Sequence, residues 1–280
     1  MRTLVLKYIL PTLILGCYSS LAEEERWDLD AYFEDLDNGP NTQDRIVGGA
    51  NVPEGEFIKY QVSLQYLKNN THRHFCGGSI ISPSRILTAA HCVVGHGPEK
   101  FSVLAGVTNL KDPDGIRSQV TAIDTHENYK PVNGNDIAIL SIEPPFELDD
   151  TRMGTINVEY TDEVGKGEET ILTGWGSTRH SRKSPHYPNE LQMLQFKTIS
   201  NRECKRKMSM LTDTEICAKS QRQTGACAGD SGGPLAMERN DEMIQVGIVS
   251  YGRARCGSDG LDVYTRITMF TDWIKERMCS

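Results

Sequence analysis

Short apolar runs, alternating or continuous, dominate the chain from residue 61 onward, and turns rich in Gly, Pro, Asn and Asp separate them. Gln61 to Tyr66, Gly78 to Ile81, Ile86 to Ala89, Ser102 to Ala105, Gln119 to Ile123 and Ile137 to Ile142 have the length and β-branched content of strands. A second set follows at Glu169 to Thr173, Gln192 to Ile199, Glu215 to Ala218, Gly233 to Met237, Ile244 to Ser250 and Gly260 to Ile267. Between the sets, Pro144-Pro145 to about Lys166 reads as a linker. Only the end looks helical, with Phe270, Trp273 and Ile274 at helical spacing and Thr271 or Asp272 near the amino-terminal end. No internal repeat or low-complexity tract is visible.

The first 45 residues break this pattern. Arg2 and Lys7 precede an apolar run from Tyr8 to Leu15, and Ser20-Leu21-Ala22 supplies small residues for cleavage. Residues 1–22 therefore read as a secretory signal peptide, too short to span a membrane. A lipoprotein-type site at Cys17 is the weaker alternative, because it falls inside the apolar region. Residues 23–45 hold nine acids and two arginines, a net charge of −7, with no cysteine. Such a segment lacks the apolar content to build a core alone. Taking both segments away from the whole-chain charge of −8 leaves only −3 for residues 46–280. Neither a nucleic-acid footprint nor a basic membrane-binding face follows from that balance.

The chemistry centres on Cys227-Ala-Gly-Asp-Ser-Gly-Gly-Pro234. Ser231 is a hydroxyl nucleophile on a glycine-rich turn, and the backbone N–H groups of Gly229 and Ser231 are candidate donors to an oxyanion. Such a serine needs a base and a carboxylate to orient it. His91, in Leu-Thr-Ala-Ala-His-Cys, and Asp136, in Asn-Asp-Ile-Ala-Ile-Leu, supply both types. The order His, Asp, Ser excludes the α/β-hydrolases, whose Gly-x-Ser-x-Gly elbow Gly229 to Gly233 also matches.

Together with Ile46-Val47-Gly48-Gly49, Gly174-Trp175-Gly176 and Val263-Tyr264-Thr265, these blocks make residues 46–280 resemble the chymotrypsin/trypsin-family serine endopeptidases. The resemblance implies an all-β fold of two six-stranded antiparallel Greek-key barrels, about 46–145 and 167–267, and a C-terminal helix at about 268–279. The active site lies between the barrels. It also implies a zymogen, cut after Arg45 by an activating trypsin-like protease so that the new amine of Ile46 pairs with Asp230. Protein or peptide substrates, a secreted monomer, and no cofactor or metal complete the expectation. Disulfides Cys76–Cys92, Cys204–Cys217 and Cys227–Cys256 are implied in the same way, leaving Cys279 over. The family's calcium loop would span Val107 to Arg117, where those two side chains cannot ligate the ion.

The specificity pocket departs from that of trypsins. The floor position six residues before Ser231 is Gly225 rather than aspartate, followed by Ala226. Ser250, Tyr251 and Gly252 form one wall by resemblance, and Asp262 stands where glycine is usual. This arrangement is similar to crab-collagenase-type proteases, the brachyurins. It implies mixed cleavage after basic and after large apolar residues. Should Asp262 face solvent, a purely chymotrypsin-like enzyme is the alternative; a non-catalytic secreted homologue that binds partners is the other. His72, His74, His96, His126, His180 and His186 read as solvated surface, Arg179, Arg182 and Lys183 as an exposed basic loop, and Asn69 as a glycosylation candidate.

Overall fold

A computed structural model describes residues 46–68, 71–131, 134–180 and 185–278. The glycosylation candidate Asn69, the basic-loop residues Arg182 and Lys183, Cys279 and everything before Ile46 lie outside those residues. The first apolar set folds as β2 (Gln61–Lys68), β3 (Thr71–Ser82), β4 (Arg85–Thr88), β5 (Phe101–Ala105), β6 (Ile116–Thr125) and β7 (Ala138–Glu143), preceded by a two-residue strand β1 (Ala50–Asn51). Strands β2 to β7 close into an antiparallel barrel in the order β2-β3-β4-β7-β6-β5. Its centre is filled by Val62, Leu64, Ile80, Leu87, Val103 and Leu140, all fully buried or nearly so.

The second set gives β8 (Glu169–Gly174), β9 (Gln192–Ile199), β10 (Glu215–Lys219), β11 (Pro234–Arg239), β12 (Glu242–Gly252) and β13 (Leu261–Arg266). They run β9-β10-β13-β12-β11-β8, and β8 pairs back to β9 to close a second six-stranded antiparallel barrel. Leu172, Phe196, Ile216, Leu235, Val246 and Tyr264 pack in its core. Strand β1 pairs with β9 through Ala50 and Met193, so residues just after position 46 lie against the second barrel, not the first.

Buried polar side chains join the barrels as well as apolar ones. Thr173 Oγ1 donates to Gln61 Oε1 at 2.6 Å, and Ser79 Oγ donates to Gln245 Oε1 at 2.6 Å. Each bond satisfies groups that burial would otherwise leave unmatched, which fixes the relative placement of the barrels. The linker adds backbone bonds to both, from Ile156 N to Ile80 O and from Gln245 N to Asn157 O.

The helices differ from the sequence reading. A short α1 (Ala90–Val93) carries His91, and α2 (Asn201–Lys205) starts where only loop was expected. Ser200 Oγ caps α2 by accepting from Glu203 N at 3.2 Å, a Ser-x-x-Glu signal visible in the sequence. The terminal helix α3 (Thr271–Met278) follows a 3₁₀ turn at Ile267–Met269. His126 is not solvated surface: its ring lies edge-on to Phe270 at 5.2 Å and tilted against Trp273 at 5.4 Å, and burial pulls its pKa down. All three implied disulfides are present. No helix among the described residues is long and apolar enough to cross a membrane.

Leu172 is fully buried in the second core. Leu172→Ala is expected to lower stability by about 2–5 kcal/mol in urea unfolding, whereas Leu67→Ala, at 56% exposure, should change it by less than about 0.5 kcal/mol. Equal effects at the two positions would contradict this core.

Candidate active site

His91 enters the site because Ala89 and Ala90 are small enough to be fully buried where β4 passes into α1. Asp136 grips it twice. The His91 backbone N–H donates to Asp136 Oδ1 at 2.9 Å, and ring Nδ1 lies 2.7 Å from Oδ2. An ionised carboxylate only accepts, so Nδ1 carries the proton and Nε2 presents its lone pair. Ser250 Oγ donates to the same Oδ2 at 2.5 Å, and Thr265 Oγ1 donates to the Asp136 carbonyl at 2.7 Å. The β12/β13 register shifts between Val249 and Tyr251, a bulge that gives Ser250 its own direction. Burial disfavours a charge on Asp136, but the bonds from His91 and Ser250 outweigh it and hold the carboxyl below its ordinary range.

Ser231 sits on a turn clamped to the same region. Its carbonyl accepts from Gly77 N at 2.8 Å, and Gly77 follows Cys76, whose disulfide partner Cys92 follows His91. Gly232, at φ +78°, leaves no room for a side chain: a Cβ there would fall 2.2 Å from Thr88 Oγ1 and 2.7 Å from Gly77 O. The turn is thus pressed onto the segment that leads into His91. Gly229 has φ +97°. Among the described residues, no carbonyl takes the N–H of Gly229 or Ser231.

The Gly229 carbonyl is occupied instead by a residue the sequence reading placed on solvated surface. His74, on β3, has Nε2 3.0 Å from Gly229 O and Nδ1 2.9 Å from Ser63 Oγ. Burial pushes its pKa down to about 4, so the ring is neutral and Nε2 donates to the carbonyl. Holding that carbonyl fixes the Gly229–Asp230 peptide plane, whose N–H on Asp230 donates to Cys227 O at 3.0 Å. His180 also makes a specific contact, with Nδ1 2.8 Å from Cys256 O.

Asp230 is 1% exposed. Its carboxylate accepts from Gly176 N at 2.8 Å and Cys227 N at 2.9 Å, and Gly174 and Gly176 are glycines because a Cβ at either would strike it. Removal from water pushes the carboxyl up to about 7 despite those bonds. Ile46 and Val47 are buried beside this turn: Val47 O accepts from Gly225 N at 3.0 Å, and Val47 packs on the Cys227–Cys256 bridge.

Asp262 turns inward, not to solvent. It is 3% exposed, faces Gly252 across the β12/β13 ladder, and accepts from Ala226 N at 2.9 Å. A Cβ on Gly225 would lie 2.9 Å from Oδ2, and one on Gly252 would lie 2.5 Å from Oδ1. The carboxylate therefore occupies space opened by two missing side chains, between Gly225-Ala226 and Gly252.

The Trypsin family model matches residues 46–274. Chymotrypsin-2 of Vespa crabro is 36% identical over 232 residues, covering 82% of this chain and 99% of that protein. Chymotrypsin-C of Mus musculus is 36% identical over 249 residues, 85% of this chain and 91% of its own. Brachyurin of Leptuca pugilator is 37% identical over 206 residues, 72% and 87% respectively. The chain belongs to the trypsin family. It is a serine endopeptidase by that membership.

Two features bear on metals. Cys76, His91 and Cys92 bring ligand atoms within 4.8 Å of one another, but both sulfurs are consumed in the disulfide and are not thiolate ligands. At the calcium-loop positions, Val107 is buried and Arg117 Nη1 donates to Ser102 Oγ.

The buried Asp230 makes a pH prediction for the uncut chain. Its folded pKa of about 7 exceeds the ordinary 3.8, so the folded state keeps a proton that the unfolded state releases. Stability from this group is present below about pH 4 and falls as pH rises towards and past 7, by on the order of 4 kcal/mol. Urea unfolding of uncut Ser231→Ala protein from pH 4 to 8 should show that decline, and adding Asp230→Asn should flatten it. Identical pH profiles with and without Asp230→Asn would contradict the assignment.

Proposed function

We propose that this chain is a secreted zymogen, activated by cleavage after Arg45, which hydrolyses peptide bonds through Ser231, His91 and Asp136 after both basic and large apolar residues. The observation that carries the catalytic reading is the two-point hold of Asp136 on His91, with Ser250 completing the carboxylate's bonds. It leaves the Nε2 lone pair of His91 as the base this reading requires for Ser231.

The cycle follows from those groups. His91 Nε2 takes the hydroxyl proton as Ser231 Oγ attacks the carbonyl carbon, and Asp136 stabilises the imidazolium that forms. The N–H groups of Gly229 and Ser231 receive the oxyanion, worth about 3 kcal/mol per donor in the transition state. His91 returns the proton to the leaving amine. Water then repeats the sequence and releases the acyl group.

Activation rests on Asp230. A carboxyl that burial holds at about 7 gains most from a cation, and the amine freed at Ile46 would be generated beside a segment already packed on the same turn. Residues 1–22 direct export, the acidic 23–45 segment is removed by a trypsin-like activator, and the product acts as a monomer without cofactor. Three disulfides suit an oxidising compartment.

Selectivity rests on Asp262. An inward carboxylate on the wall pairs with a substrate Arg or Lys, while Gly225 and Ala226 leave the floor open to Leu, Phe, Tyr or Met. Similarity to proteins named chymotrypsin and brachyurin supports this mixed pocket.

In protein trimmed to begin at Ile46, Ser231→Ala is expected to lower kcat/KM by at least about 10⁴-fold and to abolish labelling by an organophosphate. Retained labelling would remove Ser231 from the nucleophile role. Asp262→Gly should lower kcat/KM after Arg and Lys by about 10²-fold and change cleavage after Leu and Phe by only a few-fold. Unchanged cleavage after Arg would favour the purely chymotrypsin-like alternative.

A further inference from the structure

His126 joins the terminal helix to the segment that carries Asp136. Its side chain is 11% exposed, edge-on to Phe270 just before α3 and tilted against Trp273 within it. On the other side its backbone N–H donates at 3.1 Å to the carbonyl of Ile137, the residue after Asp136.

The two ring nitrogens have different duties. Asn128 N–H donates to Nδ1 at 3.2 Å, so Nδ1 accepts and the neutral ring keeps its proton on Nε2. That bond holds a turn, in which Tyr129 N also donates to His126 O at 2.9 Å. Asn128 O in turn accepts from Asn135 Nδ2 at 3.2 Å. Asn135 immediately precedes Asp136 and has φ +55°, a left-handed backbone that asparagine tolerates and that its side-chain bond to Asn128 helps to fix. A run of hydrogen bonds thus leads from the His126 ring through the Asn128 peptide to the residue that sets the entry of Asp136.

Protonation would undo the first link. Both nitrogens of an imidazolium donate, so Nδ1 would face the Asn128 N–H donor to donor. The charged groups facing the ring are Glu127 on its own turn and Arg277 on α3. Glu127 Oε1, 3.9 Å from Nε2, favours the cation, but Oε2 of the same carboxylate accepts from Trp273 Nε1 at 3.2 Å and lies 3.7 Å from Arg277 Nη2. Arg277, stacked 4.1 Å from the centre of the Trp273 ring, opposes the cation, and burial weighs on the same side.

We propose that His126 is a positioning residue for Asp136 that works only as a neutral ring, so that acid loosens the terminal helix and the seat of the catalytic carboxylate together. Its effect on turnover rests on the proteolytic reading of the site; its effect on stability does not. The unfolded chain takes up this proton near pH 6.5 and the folded chain only below that. Stability from the neutral ring is therefore present above 6.5 and is lost as pH falls through and below it.

The test uses protein beginning at Ile46 and three variants. His126→Phe keeps an aromatic ring but has no acceptor for Asn128, His126→Asn keeps an acceptor that does not titrate, and Asn135→Gly cuts the far link while permitting the same φ. At pH 8, His126→Phe and Asn135→Gly should each lower kcat about fivefold with KM within about twofold, and His126→Asn should recover most of the loss. Thermal midpoints, taken on a Ser231→Ala background, should show the gap between the parent and His126→Asn narrowing by about 2–4 °C from pH 8 to pH 5, while Asn135→Gly keeps the parent's pH dependence. Parallel profiles for the parent and His126→Asn, or a kcat within twofold of the parent for both His126→Phe and Asn135→Gly, would overturn the proposal. A parent that hydrolyses no peptide would count against the proteolytic reading, and the midpoints alone would then decide the role of His126.

Discussion

The Asp136 carboxylate is the point on which the site depends. It is buried between two barrels, and a charge there is tolerable only if donors surround it. Those donors come from both sides: His91 on the first barrel, and Ser250 and, through the backbone carbonyl, Thr265 on the second. Satisfying one buried acid therefore aligns the barrels and orients the imidazole in the same act. Loosening either barrel would leave the carboxylate unmatched.

Two other buried acids repeat the constraint with different outcomes. Asp230 receives only backbone N–H bonds from described residues, and burial keeps its pKa raised. Asp262 fills space that Gly225 and Gly252 leave free and accepts from Ala226 N. In each case glycines lie around the carboxylate, because a side chain at those positions would collide with it. The glycine-rich blocks that punctuate the second barrel are thus the moulds of its acids.

Much of this was legible in the chain. The twelve strand-like runs all became strands, because β-branched alternation and turn residues agree with burial on one face. Strand β1 escaped notice because two residues carry no period, and α2 because its signal was a cap rather than an apolar face. His74 and His126 misled for a different reason. Their neighbours, Thr71 to Arg73 and Glu127 to Lys130, are polar, whereas their burial is set by the Ser231 turn and the terminal helix, far away in sequence. The inward turn of Asp262 was likewise undecided until the β12/β13 register set it opposite Gly252.

Asp136 is therefore the residue whose change should disturb the site most directly. In protein trimmed to begin at Ile46, Asp136→Asn replaces an acceptor with a group that can donate, favouring the wrong imidazole tautomer while keeping shape. Peptide hydrolysis by this variant at neutral pH should fall by about 10⁴-fold in kcat, with the thermal midpoint within a few degrees of the parent. Activity within tenfold of the parent would contradict the role given to this carboxylate.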